Sequence, residues 1–241
     1  MFDSDTIGPD AFRLRGARHT HVSKVLKPQA GDELQVGLVN GPHGIATIVH
    51  TTEEYTDLSV TFHPDGRALK PNISLILAAP RPKVFRRILP ELAAFGLREL
   101  VVLRSWRVER AYLKSDSFLR ENCLPLFHRG MSQGKVTHEP TYRFESRFTE
   151  FTEGHLGSML KNSKGYVAHP VGSQTLASEK TLSKTEHVVL AVGPEGGWIE
   201  PEFQSFIAAG MKPISLGSRI LKVETACAAL LGQIELLRSL T

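Results

Sequence analysis

The sequence predicts an α/β protein with two domains, a small β-rich domain at residues 1–70 and a larger domain at residues 71–241. In the first domain, short strand-like segments are separated by turn-forming residues, whereas strands alternate with helices in the second. Two glycine-rich segments near the C-terminus each follow a buried strand. A stretch that contains two prolines and a glycine, residues 63–71, is the expected linker.

The first domain has three segments with the composition of strands, residues 33–38, 44–49 and 58–62. Turn-forming clusters separate them, of which Asn40-Gly41-Pro42 is the clearest. The last of the three segments alternates between apolar and polar residues, as a half-buried strand does. Several short strands at close spacing predict a small barrel.

In the second domain, five segments predict strands: residues 73–78, 100–103, 165–169, 188–192 and 213–216. The first of them is a short apolar run, as in a strand that is buried on both faces. Val84, Ile88 and Leu92 recur at helical spacing, and Gly96 is expected to end that helix. A C-terminal helix is predicted for residues 223–240. This alternation of strands and helices indicates a mainly parallel sheet.

The overall composition narrows the class of protein. The formal net charge is +4 and the pI about 9.1, which suits a polyanionic partner and equally a merely basic soluble protein. Cys123 and Cys227 form no CxxC pair, and no carboxylate or thiol accompanies His19 and His21 at the spacing of metal ligands. No metal site is therefore expected. The N-terminus lacks the pattern of a signal peptide, and no apolar run is long enough to span a bilayer. We therefore expect a cytoplasmic protein without a membrane partner.

The two glycine-rich segments are the candidate ligand-binding loops. The first, residues 192–202, and the second, residues 216–226, each join a predicted strand to a predicted helix. Ligands of open α/β sheets bind beyond the carboxyl ends of the strands, so loops on neighbouring strands are expected to enclose one pocket. The first loop lacks the spacing of a phosphate cradle, and Glu195 suits a cationic ligand or ribose hydroxyls. A plain tight turn is the alternative for either loop alone.

The strings Gly-Pro-Glu-Gly-Gly (193–197) and Leu-Gly-Ser-Arg-Ile-Leu-Lys-Val-Glu-Thr-Ala (216–226) resemble the two signature segments of the RsmE family. These are SPOUT-class methyltransferases that modify N3 of a uridine in small-subunit (16S) ribosomal RNA. Residues 21–27 and Gly31-Asp32 are similar to the opening of the family's PUA-like RNA-binding domain. The resemblance implies an N-terminal PUA-like β-barrel and a C-terminal SPOUT α/β domain with a deep trefoil knot. It also implies a homodimer that acts on ribosomal RNA or the small ribosomal subunit.

By this resemblance, the methyl donor is S-adenosyl-L-methionine, held without a metal between the two loops. The residues implied to line one side of the donor pocket are Leu190, Gly193, Glu195, Gly196 and Gly197. Those implied on the other side are Leu216, Gly217, Ile220, Leu221, Thr225 and Ala226.

Several charged and aromatic residues are candidates for handling the RNA. A basic cluster in the first domain is expected to contact phosphates, with an ordinary solvated face as the alternative: Arg13, Arg15, Arg18, Lys24 and Lys27. Arg219 is a candidate to stabilise a base anion, or else to contact a phosphate, and Glu224 is a candidate general base, or else a carboxylate at a helix start. Trp106 and Trp198 are expected to be packing residues, with a role as stacking platforms as the alternative.

The chain departs from the family pattern at five positions, namely Glu91, Ala94, Lys135, Ile199 and Lys222. Ile199 removes an expected helix cap, and the others lie on the side expected to face the acceptor or in the second loop. Two alternatives therefore stay open within the fold: a related SPOUT enzyme that methylates another base, and a non-catalytic RNA-binding relative. A dinucleotide-dependent enzyme is a further alternative, against which the absent GxGxxG speaks.

Overall fold

The structure, a computed structural model, describes residues 1–64, 71–170, 174–179 and 182–240. The chain divides into two compact units. The first comprises Met1–Leu69 and Lys135–His138, and the second comprises Lys70–Gly134 and Glu139–Thr241. The sequence did not predict that residues 135–138 join the first unit. Most of the predicted linker, residues 65–70, lies outside the described residues. The roles assigned to the two predicted domains stay predictions.

The first unit is built on a five-stranded antiparallel sheet with the order β1-β2-β5-β4-β3. Its strands are β1 (Thr6–Gly8), β2 (Ala11–Arg15), β3 (Glu33–Gly37), β4 (His43–Thr51) and β5 (Tyr55–Phe62). Helix α1 (Gly16–Thr20) continues into a π-helical segment (His21–Leu26). The alternating residues Ala46, Ile48, Leu58 and Val60 form the centre of its core. The three predicted strands are confirmed as β3, β4 and β5, and β1 and β2 were not predicted.

Hydrogen bonds connect the N-terminus to the far end of this strand order. The Met1 ammonium group donates to the carbonyl oxygen of Gly37 at 2.7 Å, and the Met1 carbonyl accepts from Val39 at 2.9 Å. Thr137 contributes its carbonyl oxygen to the amide of Asn40 at 2.7 Å. The described strands nevertheless have an open order with β1 and β3 at its ends, so the predicted PUA-like barrel stays a prediction.

The second unit contains a six-stranded parallel sheet with the order β11-β9-β10-β6-β7-β8. Its strands are β6 (Ile73–Ala78), β7 (Glu99–Leu103), β8 (Thr141–Glu145), β9 (Ser163–Ala168), β10 (His187–Val192) and β11 (Lys212–Ile214). All six residues of β6 are buried, as expected for a strand covered on both faces. The mainly parallel α/β sheet is confirmed, and so are the five predicted strands, whereas β8 was missed.

Helices α2 (Pro82–Ala94), α3 (Arg120–Gly134), α6 (Glu200–Ala208) and α7 (Val223–Ser239) are the long helices of this unit. A further helical stretch combines α4 (Phe148–Glu150), a π-helical segment (Phe151–His155) and α5 (Leu156–Leu160). Short 3-10 turns occur at Tyr112–Lys114, Asp116–Phe118 and Leu176–Glu179. As predicted, α2 is followed by Gly96 in the left-handed conformation, with φ +73°.

Two glycines allow α3 to approach α2 closely. A Cβ atom added to Gly130 would lie 1.9 Å from the carbonyl oxygen of Pro90, and one added to Gly134 would lie 2.3 Å from that of Ala94. Gly130 and Gly134 are four residues apart on α3, and Pro90 and Ala94 are four residues apart on α2. The two glycines therefore face these two residues along matching ridges of the helices. Ala94, one of the departures from the family pattern, therefore lies at this helix contact through its backbone.

A half-buried histidine connects the amino ends of three neighbouring strands. His187 Nδ1 lies 2.7 Å from Ser163 Oγ, and its Nε2 lies 2.9 Å from Ser74 Oγ. Burial first, and then the positive charges of Arg98 and Arg238, lower the pKa of His187 below its usual value of 6.5. The folded protein therefore favours the neutral imidazole.

We expect this histidine to make folding sensitive to acid. Because its pKa is lower in the folded chain, the unfolded chain takes up the proton first as the pH falls. The stabilisation is present above pH 6.5 and is lost as the pH falls towards the folded-state pKa. Urea unfolding of the wild type and of His187→Gln between pH 5 and 8 measures it. The slope below pH 6.5 should be smaller in the variant, and equal slopes would contradict this assignment.

Candidate functional site

Both glycine-rich loops leave the same edge of the parallel sheet. The first loop follows β10 and leads into α6, and the second follows β11 and leads into α7. Both strands run parallel to β9, so their carboxyl ends lie at one edge. One detail of the prediction was wrong, because β10 and β11 are not neighbours and β9 lies between them. The side-chain pattern of two short apolar strands carries no information on their order.

The first loop is a tight turn with a glycine where the backbone requires one. Gly197 has φ +72°, and its amide donates to the carbonyl oxygen of Pro194 at 2.8 Å. A Cβ atom on Gly193 would lie 3.2 Å from both the backbone nitrogen and Nε1 of Trp198. Trp198 is buried, at 3% exposed, which confirms its predicted packing role. Its indole Nε1 is buried without a hydrogen-bond partner among the described residues.

A buried carboxylate holds the first loop to the segment that follows β7. Glu202 is only 4% exposed and accepts three hydrogen bonds. The donors are Ser105 Oγ at 3.0 Å, the backbone amide of Trp106 at 2.7 Å and the backbone amide of Ile199 at 3.1 Å. Ile199 itself offers no capping oxygen, so Glu202 satisfies the amide at the start of α6 in place of a capping residue. This compensates in part for the departure at position 199.

The second loop is held by a serine at its start. Ser215 Oγ accepts from the amide of Gly217 at 3.1 Å, and the Ser215 amide donates to Gln174 at 2.8 Å. Gly217 has φ +103°, a conformation that favours glycine. Beyond it, Ile220 is 89% exposed and Leu221 is also exposed. Large apolar side chains in a loop at a sheet's carboxyl edge are free to cover an apolar ligand there.

The remaining residues implied in donor binding occupy different environments. Leu190 is fully buried inside β10, where its Cα pairs with those of Leu75 and Tyr166, so its side chain belongs to the core. Glu195 and Gly196 are exposed at the tip of the first loop. Leu216 is half-buried at the start of the second loop, and Thr225 and Ala226 lie in the first turn of α7.

The two candidate catalytic residues differ in their surroundings. Arg219 is exposed in the second loop. Glu224 lies in the first turn of α7, and its Oε1 lies 2.5 Å from Nη2 of Arg87 on α2. The ion pair and the helix start both match the structural alternative that the sequence left open for Glu224. The proton-accepting role stays a prediction.

The basic cluster of the first unit is partly engaged within that unit. Arg13 donates to both carboxylate oxygens of Asp57, at 2.7 and 2.8 Å, and this hydrogen-bonded contact lowers the pKa of that carboxyl group. Arg18 forms a bidentate pair with Asp5. The other three cluster residues, Arg15, Lys24 and Lys27, are exposed. Contact with RNA phosphates stays a prediction for all five residues.

Trp106 was predicted to pack, and this prediction was wrong. Its side chain is 80% exposed, in the segment directly after β7. Arg107, the next residue, donates from its guanidinium to the carbonyl oxygen of Gly196 in the first glycine loop. Sequence reasoning missed this segment because its signal is positional: Ser105, Trp106 and Arg107 follow a strand at the ligand-binding edge of the sheet.

The other departures from the family pattern are at surface positions. Glu91 is exposed on α2, and Lys222 is exposed at the start of α7. Lys135 follows α3 with φ +54°.

Within the described ranges, no helix is long and apolar enough to cross a bilayer. No cluster of three or more metal-ligating side chains occurs in the part of the chain that the structure describes.

Known proteins support the resemblance that the motifs indicated. The chain is 29% identical over 235 residues to ribosomal RNA small subunit methyltransferase E of Treponema pallidum (strain Nichols), covering 95% of this chain and 87% of the relative. A second relative, ribosomal RNA small subunit methyltransferase E 1 of Borreliella burgdorferi, is 25% identical. That match covers 90% of this chain and 88% of the relative. The predicted resemblance to the RsmE family is confirmed.

A solved structure shares the fold. The ribosomal RNA small subunit methyltransferase E from Neisseria gonorrhoeae, bound to S-adenosyl methionine, superimposes with a TM-score of 0.77 at 19% identity. The match covers 98% of this chain and 96% of the other. Residues 68–235 match the family described as RNA methyltransferase domain, which is most of the chain. The chain therefore belongs to the RNA methyltransferase domain family.

Proposed function

We propose that this protein transfers a methyl group from S-adenosylmethionine to N3 of a uridine in small-subunit ribosomal RNA. The observation that carries the proposal is the placement of both signature loops at one edge of the parallel sheet in a chain of the RNA methyltransferase family. Relatives named as methylating small-subunit ribosomal RNA support the substrate class. The cytoplasm is the expected compartment.

The residues present suit an adenosyl sulfonium donor. Exposed Ile220 and Leu221 offer an apolar cover for an adenine ring, and the carboxylate of Glu195 suits a cationic ligand or ribose hydroxyls. The unpartnered Nε1 of Trp198 is a buried donor beside Gly193, where a side chain in place of hydrogen would crowd the turn. Backbone groups exposed by Gly197 and Gly217 suit the polar edges of the same ligand.

The methyl transfer requires little covalent chemistry from the protein itself. The bound donor supplies an activated methyl group with its own leaving group. The loops hold the acceptor nitrogen in line with that methyl group and exclude water. N3 of uracil must lose a proton, so we assign Arg219 to stabilise the resulting anion and Glu224 to accept the proton once it is free of Arg87.

Three further features belong to the proposal. A deep trefoil knot around the second loop is the first, as the resemblance to the family implies. Leu236 on α7 and Leu240, directly after that helix, are both exposed, which supports a homodimer contact there. A PUA-like barrel with Arg15, Lys24 and Lys27 exposed would hold the RNA through its phosphates.

Labelled donor and small ribosomal subunits from cells that lack the gene test this function. We expect label in the RNA, and mass spectrometry of the digested RNA should locate it at N3 of a uridine. Label on another base would favour the related SPOUT enzyme. Calorimetric binding of S-adenosylhomocysteine with no label in the RNA would favour the non-catalytic relative.

Arg219→Ala and Glu224→Gln test the two catalytic assignments. Each variant should lower kcat by about 100-fold while S-adenosylhomocysteine affinity stays within about threefold, because each group acts on the base rather than on the donor. An unchanged kcat in Glu224→Gln with a small loss of stability would instead assign Glu224 to the ion pair with Arg87.

A further inference from the structure

We propose that Trp106 is a stacking platform for an unpaired nucleobase of the RNA, next to the first glycine loop. The inference rests on the proposed function, because it presupposes an RNA acceptor at this edge of the sheet. It adds a substrate-positioning residue in a segment that the family motifs do not include. Three features support the proposal: the exposure of the indole, the hydrogen bonds that hold its backbone and the arginines near it in sequence.

The two tryptophans of the chain have opposite environments. Trp198 is 3% exposed, whereas Trp106 is 80% exposed, so a large aromatic surface meets water. Burial of an indole contributes about 2 kcal/mol of favourable free energy on the usual area scale, and Trp106 does not gain this contribution because it stays in water. The fold does not require Trp106 as a packing group. Its exposed face is therefore available to a partner.

The backbone that carries this indole is fixed on both sides. The Trp106 amide and the preceding Ser105 hydroxyl both donate to buried Glu202, at 2.7 and 3.0 Å. On the other side, Arg107 donates to the Gly196 carbonyl. An aromatic group on a backbone held in this way loses little conformational freedom when a ligand stacks on it. The same contacts hold the backbone of Trp106 next to the first glycine loop.

The surrounding charges favour a nucleic acid over an apolar protein surface. Arg104, Arg107 and Arg110 lie within four residues of Trp106 in sequence, and Arg107 and Arg110 are exposed. The one acidic residue among them, Glu109, accepts from the hydroxyl of Tyr112 at 2.8 Å. An exposed aromatic ring in an arginine-rich segment suits single-stranded nucleic acid, whose bases stack on aromatic rings and whose phosphates pair with guanidinium groups.

The occupant follows from the chemistry of the acceptor. A base inside an A-form helix cannot offer its ring nitrogen to an enzyme, so the target must lie in a loop or be flipped out. Its neighbour in the strand then loses a stacking partner. Trp106 lies beside the loop that is assigned to the donor, where it can replace that partner. We therefore assign it to a base that adjoins the methylated nucleotide.

Intrinsic fluorescence makes the test direct, because the chain has only two tryptophans and one is buried. A single-stranded RNA fragment that contains the modified nucleotide is titrated into the wild type and into Trp106→Phe, Trp106→Leu and Trp106→Ala. RNA should quench the wild-type emission and leave the emission of the three variants nearly unchanged. Phenylalanine keeps an aromatic face, and leucine keeps apolar area without one, so the pair separates stacking from simple apolar contact.

We expect RNA affinity, measured by anisotropy of the labelled fragment, to fall roughly 5- to 100-fold in Trp106→Leu and Trp106→Ala and much less in Trp106→Phe. With small subunits as substrate, KM should rise by a similar factor. Affinity for S-adenosylhomocysteine should not change in any variant.

Three results would overturn the assignment. RNA affinity equal in all four proteins would exclude stacking. Equal RNA affinities of Trp106→Leu and Trp106→Phe would indicate apolar contact instead of stacking. A change of oligomeric state in Trp106→Ala, measured by light scattering, would assign the indole to contact with a second copy. If the wild type methylates ribosomal RNA in these cases, the proposed function stands without this inference, whereas a wild type that labels no RNA contradicts the function itself.

Discussion

Replacement of Gly130 by alanine is expected to lower the free energy of unfolding by about 3 kcal/mol. The new methyl group would lie 1.9 Å from the carbonyl oxygen of Pro90, which is backbone and cannot rotate away. The helices α2 and α3 would have to separate, and their contact would lose packing along its length. Urea denaturation followed by circular dichroism measures the change.

Gly232→Ala is the matched control, since Gly232 also lies within a helix, α7, and a Cβ atom there would meet nothing within 4 Å. That variant should be more stable than the wild type by about 0.5–1 kcal/mol, because alanine favours a helix over glycine. Equal effects of the two substitutions would show that the close approach of α2 and α3 does not limit stability. Gly134→Ala should resemble Gly130→Ala, since its methyl group would lie 2.3 Å from the Ala94 carbonyl.

Glu202→Ala should both destabilise the protein and weaken donor binding. Its loss leaves the donors of Ser105, Trp106 and Ile199 without their acceptor in a buried place. At about 1–3 kcal/mol for each unsatisfied buried group, partly relieved by water, we expect a loss of about 3 kcal/mol in the free energy of unfolding. The start of α6 and the first glycine loop would also lose their fixed geometry, so S-adenosylhomocysteine should bind about tenfold more weakly.

The control is Glu200→Ala in the same turn of α6. Glu200 is exposed and accepts from the Gln204 side chain at 2.7 Å, so its removal should cost less than about 1 kcal/mol. Thermal unfolding and calorimetry with S-adenosylhomocysteine are measured on both variants. If Glu202→Ala is destabilised but binds the ligand with wild-type affinity, the carboxylate supports the fold alone. If it resembles Glu200→Ala in both measurements, its buried hydrogen bonds contribute little.

The elements that sequence analysis predicted are those with a strong local signal. Strand β6 and the flanking parallel strands are continuous apolar runs, and α2 has apolar residues at helical spacing before Gly96. Strand β1 has only three residues, and β8 is an edge strand with a half-exposed pattern. Both lack the length or burial that makes a pattern readable, and β8 becomes a strand because β7 offers it a partner.

The candidate site shows the same division. The two loops were predicted because glycine, a preceding strand and the following helix are adjacent in sequence. The pairing of Arg13 with Asp57 joins residues 44 positions apart and depends on the register of β2 against β5. The role of Glu202 depends in the same way on partners 96 and 97 positions away. Contacts of this kind follow from strand register and chain path, which residue spacing alone does not contain.

The segment Lys135–His138 has a consequence for how this protein can be divided. It belongs to the first unit although it lies in the middle of the second in sequence, and Thr137 supplies an acceptor for Asn40. A gene fragment that stops at residue 70 would encode an N-terminal unit without four of its own residues. A single cut in the chain therefore cannot separate the two units completely.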